Sequence, residues 1–276
     1  MLSDKIKQEF RLFAEKLAIQ AGNILISKKK DFIIKKVKDL QQLDIATSAD
    51  YASEEYIIAQ IKKYYPNHGI IAEESGISKS DMSDFNWVID PLDGTKEYAK
   101  GIPYYYILIA LEYKNTPIMG IAYQPETKYM FSTDIKTFLN SHTILVSKEK
   151  TLSKTFISVR LPSLSSSPLI RPKIFTVMSR LCEAVYKIRS TQWDAESLAY
   201  TAMGAYDAYV SITSKEDIAH HKWWDVAPGI LMVKNAGGKV TDLDGKPITD
   251  KTLPNGIVAS NGLIHDQLLK IIQKVK

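Results

Sequence analysis

The sequence is poor in the features that mark secreted and membrane-embedded proteins. Its 276 residues include one cysteine, Cys182, which excludes an internal disulfide and fits a reducing compartment. No apolar run approaches the roughly 18–20 residues that cross a bilayer, and the first residues lack the apolar core of a secretory signal. We therefore expect a cytoplasmic protein with no stable membrane association.

The sequence also lacks an aromatic-and-basic module of the kind that binds nucleic acid, although its formal net charge is +5. Lysines cluster in the runs Lys28-Lys29-Lys30 and Lys35-Lys36 and at Lys38. Such a cluster could steer anionic substrates. Lysines equally suit a solvated helix end and loop, and we favour that interpretation and expect no nucleic-acid partner.

What is present is the composition of a globular protein, with 45% hydrophobic and 24% charged residues. Apolar residues at three- and four-residue steps predict helices, and short apolar runs between turn residues predict strands. The predicted helices cover residues 3–26, 51–65, 194–203, 225–236 and 264–275. The predicted strands cover residues 69–72, 87–90, 105–112, 118–123, 129–132, 156–160, 174–178, 208–212 and 255–260.

The strands of the first half follow one another through short turns, which predicts mixed or antiparallel sheets and an α/β (α+β) fold. Composition shifts near residues 141–171, where a Ser- and Pro-rich stretch occurs. We therefore predict an N-terminal lobe over residues 1–145 and a C-terminal lobe over residues 146–276, which together make one continuous catalytic unit.

The most informative stretch is Asp90-Pro91-Leu92-Asp93-Gly94-Thr95, at the end of a predicted strand. Pro91 fixes one backbone angle and removes a donor, while Gly94 allows a sharp turn close to a ligand. Amides that follow such a turn can hold a phosphate. Two carboxylates beside an anion-binding turn predict divalent metal ions that meet a phosphate, and hence metal-assisted phosphoryl transfer to water.

Further acidic residues stand at the ends of other predicted elements. Glu73 follows a strand and Asp225 begins a helix. With Asp90, Asp93 and the exposed carbonyl of Leu92, they could supply the hard oxygen ligands of two or more Mg²⁺ ions about 3.5–4 Å apart. Taken singly, each acid could instead be a turn former or a helix cap.

A competing phosphatase signature does not match this stretch. Haloacid-dehalogenase-type enzymes carry a nucleophilic aspartate with a second aspartate two residues on, whereas Asp90 and Asp93 are three apart. The spacing argues against a phosphorylated aspartate and for attack by an activated water.

The three motifs together resemble the inositol monophosphatase superfamily over nearly the whole chain. They are Ala72-Glu73-Glu74-Ser75, Asp90-Pro91-Leu92-Asp93-Gly94-Thr95 and Trp224-Asp225-Val226-Ala227-Pro228. The resemblance implies a layered α-β-α-β-α fold and a lithium-sensitive, magnesium-dependent phosphomonoesterase. It implies most metal ligands in the first lobe, and Asp225 with much of the substrate pocket in the second.

Roles follow from the resemblance residue by residue. Glu73, Asp90, the Leu92 carbonyl, Asp93 and Asp225 match metal ligands. Asp50 pairs with Thr95 to orient the attacking water, which Glu73 also holds. Residues expected to contact substrate are Leu92, Asp93, Gly94, Thr95, Arg180 and Asp225. Two or three Mg²⁺ ions are implied, although the segment 39–45 lacks the glycine-containing turn usual at a third site. His220 and His221 lie close to Asp225 in the sequence and could touch substrate, but apart from the resemblance we favour exposed loop residues.

Within the superfamily, Lys96-Glu97-Tyr98 and Gln124-Pro125 are similar to 3′(2′),5′-bisphosphate nucleotidases. The implied reaction removes the 3′-phosphate of adenosine 3′,5′-bisphosphate to give AMP. Trp193 and Asp194 depart from the small residues usual near a nucleoside pocket, so an inositol- or sugar-phosphate phosphatase is the alternative. An inactive metal- or nucleotide-binding protein is the alternative from another class. The sequence leaves monomer and homodimer open.

Overall fold

A mixed sheet and two long helices packed against it form the core of the first half of the chain. The computed structural model describes residues 2–38, 45–78, 83–162, 166–191, 193–214, 220–249 and 255–275. The chain divides into two units, Met1–His142 and Thr143–Lys276. Within the described ranges, no helix has both the length and the apolar character needed to cross a membrane.

The described residues of the first unit form three helices and a series of strands. The helices are α1 (Asp4–Lys28), α2 (Ser48–Tyr64) and α3 (Thr95–Ala99). The strands are β1 (Ile34–Val37), β2 (Ile45–Thr47), β3 (Gly69–Ala72), β4 (Gly76–Ser78), β5 (Phe85–Asp93), β6 (Tyr106–Tyr113), β7 (Thr116–Gln124), β8 (Tyr129–Thr133) and β9 (Thr137–Leu139). A further short strand, β10 (His142–Ile144), follows at the boundary of the units.

Strand pairing in the first unit is mainly antiparallel. Neighbouring strands run in the order β9-β8-β7-β6-β5-β3-β4, with one parallel pair between β3 and β5. β1 and β2 form a separate antiparallel pair. The mixed and antiparallel pairing predicted from the sequence is present in this unit.

The helices α1 and α2 pack their apolar sides with the sheet into one core, in which Leu17, Ile57, Trp87 and Ile109 are buried. Burial of such side chains stabilises the fold by about 1.5–3 kcal/mol each. Helix α1 begins after the N-cap Ser3, whose hydroxyl accepts from the amide of Ile6. This core holds α2 and the end of β5 rigidly, and both carry candidate site residues.

The second unit has its own five-stranded sheet in the order β12-β11-β13-β15-β14. Its strands are β11 (Phe156–Arg160), β12 (Lys187–Thr191), β13 (Ala208–Ile212), β14 (Lys239–Thr241) and β15 (Gly256–Ser260). Its helices are α4 (Arg171–Ala184), α5 (Asp194–Ala202), α6 (Trp223–Asn235) and α7 (His265–Gln273). β11 pairs in parallel with β12 and β13, whereas β15 pairs antiparallel with β13 and β14.

The predicted strand over residues 174–178 is wrong, because this stretch lies within α4. The β-branched residues around Ile174 and Val177 favour a strand over a short window. Over the longer stretch, the buried residues are Ile174, Val177 and Leu181, which recur at three- and four-residue steps. That period is helical, and Pro172 is tolerated in the first turn.

Candidate active site

The stretch 90–93 leaves the sheet through a β-bulge at the end of β5. Asp90 lies opposite Leu108 of β6 and Asp93 lies opposite Tyr106, so one strand has an extra residue between these pairs. The Asp90 Oδ1 accepts from the amide of Leu92 at 2.9 Å, which stabilises the turn locally. The Ser53 hydroxyl of α2 donates to the Pro91 carbonyl at 3.0 Å and supports the turn from below.

Gly94 and Thr95 continue this turn into α3. Gly94 has a φ of 96°, a left-handed conformation that favours glycine. The Thr95 hydroxyl lies 2.9 Å from Asp50 Oδ1 and 3.0 Å from the Leu92 carbonyl oxygen. One hydroxyl proton can serve one of these acceptors at a time, and the oxygen itself can still accept from a water.

Asp50 occupies a buried position in the first turn of α2. Its Oδ2 accepts from the amide of Thr47 at 2.8 Å and from the Thr47 hydroxyl at 2.6 Å. Thr47, rather than Asp50, is the N-cap, and the two residues form a capping box. Burial raises the pKa of Asp50 above its ordinary value, against the opposing effect of hydrogen bonds from Thr47 and Thr95.

Two carboxylates at the end of β3 share one ammonium group. The Lys38 Nζ lies 2.7 Å from Glu73 Oε1 and 2.6 Å from Glu74 Oε1. Although burial lowers the pKa of Lys38, these carboxylates raise it above its ordinary value overall. Burial raises the pKa of Glu74 to about 7, while Lys38 acts in the opposite direction. Assigning Lys38 to a solvated surface cluster was therefore wrong.

Helix α2 organises both acidic segments from one face. Asp50 holds Thr95, Ser53 holds Pro91, and Glu54 accepts from the amides of Glu74 and Ser75 at 2.9 and 2.8 Å. Residues 50, 53 and 54 share a helix face because they are three and four positions apart. Sequence reasoning missed Ser53 and Glu54, although their spacing from Asp50 on a predicted helix was a usable signal.

The oxygen atoms of this site suit a hard cation, although its acidic side chains do not form a preformed metal-binding site. Among the described residues, no three His, Cys, Asp or Glu side chains converge so as to hold a metal ion. Mg²⁺ usually keeps several waters and takes one or two carboxylates. Asp90, the Leu92 carbonyl and Asp93 offer such oxygens on one turn, and the Lys38 ammonium shows that Glu73 already attracts a cation. The donor set therefore fits Mg²⁺. The segment 39–45, which bears on a third ion, lies outside the described residues except for Ile45.

The remaining predicted site residues belong to the second unit. Asp225 is the third residue of α6 and is partly exposed; its Oδ2 accepts from the amide of Lys222 at 3.1 Å. Helix α6 begins two residues earlier than predicted, at Trp223. Arg180 is a partly exposed residue of α4, not a residue that follows a strand.

The two histidines were predicted to be exposed, and for His221 this is wrong. His221 is 0% exposed, with Nδ1 at 3.0 Å from Asp194 Oδ2 and Nε2 at 3.1 Å from Ser211 Oγ. His220 is partly buried, with Nδ1 at 3.4 Å from the Thr213 hydroxyl. Asp194, one of the departures from the nucleotidase pattern, is also buried.

The aromatic residue of the Lys96-Glu97-Tyr98 motif faces the core. Tyr98 is fully buried, and its hydroxyl donates to the Leu25 carbonyl at 2.6 Å. Its ring packs edge-on against Tyr105 with the centroids 5.1 Å apart. Within this structure Tyr98 therefore stabilises α3 against α1, and Lys96 is the exposed member of the motif.

Comparison with known proteins gives a consistent result over nearly the full length. The model of the Inositol monophosphatase family matches residues 6–276. The chain is 32% identical over 265 residues to Nus factor SuhB of Haemophilus influenzae, covering 94% of each protein. It is 30% identical over 234 residues to inositol-1-monophosphatase of Mesorhizobium japonicum, covering 84% of each.

The structure of inositol monophosphatase from Anabaena superposes with a TM-score of 0.81 at 29% identity, covering 98% of this chain and 97% of that one. This likeness confirms the predicted layered α/β fold class with mixed and antiparallel sheets. With the family match and the relatives of similar length, it identifies the chain as a member of the inositol monophosphatase family.

Proposed function

We propose that this protein hydrolyses an inositol- or sugar-phosphate monoester in a magnesium-dependent reaction. The observation that carries the proposal is the contact between the Thr95 hydroxyl and Asp50 Oδ1 at 2.9 Å, beside the turn at residues 90–94. A hydroxyl held by a carboxylate next to hard oxygen ligands is suited to orient a water toward a phosphate.

In the proposed mechanism, Asp50 fixes the direction of the Thr95 hydroxyl proton. Thr47 holds the other oxygen of Asp50 through its amide and hydroxyl, so the carboxylate cannot rotate freely. With its proton directed to Asp50, the Thr95 oxygen accepts a hydrogen bond from the attacking water and aims that water at phosphorus. The amides that follow Gly94 bind the phosphate oxygens.

Mg²⁺, when bound, would lower the pKa of water and neutralise charge that develops on the phosphate. The proposed ligands in the first unit are Glu73, Asp90, the Leu92 carbonyl and Asp93, and Lys38 would have to release Glu73 for that residue to bind metal. Asp225 is a further proposed ligand on the strength of its sequence motif, and Arg180 is a proposed contact for substrate on the strength of the family resemblance.

Two observations bear on the substrate class, and they favour different substrates. Inositol-1-monophosphatase is the name of a relative at 30% identity, which favours an inositol or sugar phosphate. The Lys96-Glu97-Tyr98 motif favours adenosine 3′,5′-bisphosphate, but Tyr98 is occupied in the core and cannot read a nucleotide from there. We therefore rank the nucleotide second, as the other substrate to be tested.

A parallel assay of phosphate release decides between these substrates. Inositol 1-phosphate and adenosine 3′,5′-bisphosphate are compared with Mg²⁺, without it and with added Li⁺. We expect faster release from the inositol ester, dependence on Mg²⁺ and inhibition by Li⁺. A clear preference for the nucleotide would reverse the ranking. Binding of Mg²⁺ without phosphate release from either ester would instead support the inactive binding protein.

A further inference from the structure

A group of buried and partly buried polar side chains in the second unit lies outside the residues assigned to the reaction. The Asp194 Oδ2 lies 2.8 Å from Arg160 Nη1 and 3.0 Å from His221 Nδ1. The Asp194 Oδ1 accepts from the Tyr209 hydroxyl. His221 Nε2 lies 3.1 Å from the Ser211 Oγ. We call these five residues the Asp194 network.

Ser211 contacts His221, and His221 contacts Asp194, as in the catalytic triad of serine hydrolases. This network is nevertheless not a second hydrolytic site. Ser211 and His221 are 0% exposed and Asp194 is 5% exposed. A nucleophile must reach its substrate, and these side chains are enclosed by the fold. The role of the network is therefore structural.

The network joins four segments of the second unit. Arg160 is the last residue of β11, Asp194 the first residue of α5, Tyr209 and Ser211 belong to β13, and His221 directly precedes the N-cap of α6. Burial alone would raise the pKa of Asp194, but attraction to His221 and Arg160 holds it well below its usual range. A charge that is buried and paired in this way holds its partners strongly, because breaking the pair leaves an uncompensated charge.

A short path leads from His221 to the carboxylate of Asp225. His221 is followed by Lys222, whose amide donates to Asp225 Oδ2 at 3.1 Å. The amide of Asp225 in turn donates to the Lys222 carbonyl at 3.2 Å. The orientation of the Asp225 carboxylate therefore depends on a backbone unit that is one peptide bond away from a fully buried ring.

Helix α6 is also held against α5, which begins with Asp194. A Cβ added at Gly229 would lie 2.6 Å from the Leu198 Cβ, so the two helices approach closely at this point. The start of α6 is thus held by the network, and its middle is held by α5.

We propose that Asp194, acting through His221, is a positioning residue for Asp225 and holds its carboxylate in the orientation that binds a metal ion. This inference deepens the proposed function and depends on the assignment of Asp225 as a ligand. Asp194 differs from the residue usual in the nucleotidases. On this proposal it positions Asp225 from within the fold and does not line the substrate pocket.

The test measures Mn²⁺ binding to the full chain by electron paramagnetic resonance, without substrate. Four variants are compared with the unaltered protein: Asp194→Asn, Ser211→Ala, Asp225→Asn and His265→Asn. His265 is the matched control, because it is a buried histidine of the same unit whose ring nitrogens contact the Thr241 and Ser260 hydroxyls at 2.9 and 2.8 Å. Hydrogen exchange of the amides at residues 221–226 is followed in parallel.

We expect Asp225→Asn and Asp194→Asn to weaken Mn²⁺ binding about tenfold or more, as loss of a supporting partner does at other metal sites. Ser211→Ala removes one contact of His221 without a change of charge, and we expect a smaller loss in the same direction even if Asp194→Asn fails to fold. Amide exchange at 221–226 should accelerate in both network variants. His265→Asn should change neither readout.

Three outcomes would overturn the inference. Unchanged binding in Asp225→Asn removes the ligand assignment, and the positioning role with it. Weakened binding in Asp225→Asn with unchanged binding in folded Asp194→Asn and in Ser211→Ala leaves the ligand assignment intact and removes only the positioning role. An equal loss in His265→Asn would attribute the effect to general destabilisation.

Discussion

Asp50 in the first unit and Asp194 in the second are both buried aspartates in the first turn of a helix, yet their surroundings are opposite. Asp50 accepts hydrogen bonds from the neutral groups of Thr47 and Thr95, and burial raises its pKa. Asp194 faces the cationic Arg160 and also His221, and its pKa is lowered. The same side chain thus serves two purposes. Within the part of the chain that the structure describes, Asp50 has only neutral hydrogen-bond donors and contacts the Thr95 hydroxyl, whereas the carboxylate of Asp194 is paired with the guanidinium of Arg160.

The largest expected difference between substitutions in the two units is in turnover. Asp93→Asn removes a charged oxygen of a proposed metal ligand from the turn beside Thr95, so we expect phosphate release to fall by more than about 10³-fold while the fold remains. Asp194→Asn at saturating Mg²⁺ should retain most of the turnover of the unaltered protein. Steady-state kinetics with circular dichroism as a check on folding measures both. Full activity in Asp93→Asn would remove the metal assignment.

For stability, we expect the larger effect from the substitution in the second unit. Asp194→Asn leaves the partly buried Arg160 without the counter-charge of Asp194 and should lower the free energy of unfolding by about 3 kcal/mol. Asp50→Asn weakens a capping box and should cost about 1–2 kcal/mol. Urea unfolding followed by fluorescence compares the two variants. Equal losses would mean that the ion pair of Asp194 with Arg160 contributes no more than neutral hydrogen bonds.

The Thr95 hydroxyl provides a narrower test of the first site. Thr95→Val keeps the shape of the side chain and removes the group held by Asp50, so kcat should fall by about 10²-fold or more. Thr95→Ser keeps the hydroxyl and should remain within about tenfold of the unaltered protein. A similar loss in both variants would show that the methyl group, and not the hydroxyl, matters.

The smallest expected effect is a difference in pH dependence. The folded pKa of Asp194 lies below its unfolded value of about 3.9, so its contribution is present above that pH and is lost as the pH falls through the folded pKa. Asp50 has a raised pKa in the folded state. Its contribution is present below the unfolded value and is lost as the pH rises through the folded pKa.

Urea unfolding between pH 2 and 7 therefore shows changes in two different ranges, below about pH 4 for Asp194 and above about pH 4 for Asp50. The stability difference between the unaltered protein and Asp194→Asn should shrink toward low pH, and the difference from Asp50→Asn should shrink toward high pH. Parallel slopes would contradict the assignment of the two environments.

Local features of both the fold and the site could be predicted from the sequence. The stretch 90–95 is contiguous, so its strand, turn and carboxylates can be recognised together. The apolar periodicity of α1 predicts the bounds of that helix to within two residues. The pairing of Asp50 with Thr95 came from the family resemblance and not from spacing. In α4, a short β-branched run outweighed the longer helical period and gave the wrong element.

Contacts between distant positions could not be predicted in the same way. Lys38 and Glu73 are 35 residues apart, and Asp194 and His221 are 27 apart. Each pairing depends on how the helices and strands between the two partners are arranged in the fold. An isolated lysine or histidine carries no sign of such a partner, which is why Lys38 and His221 were both taken as surface residues.

The bulge at the end of β5 also determines which way the two aspartates of the turn point. In a regular strand, residues three apart face opposite sides of the sheet. Here Asp90 and Asp93 lie opposite Leu108 and Tyr106, which are two apart and share a side. Because of the inserted residue, Asp90 and Asp93 face the same side of the sheet although they are three apart. In a strand without a bulge, residues two apart would do so. Families that differ in this spacing can thus reach a similar display of carboxylates, and motif spacing separates them only when the local pairing of the strand is known.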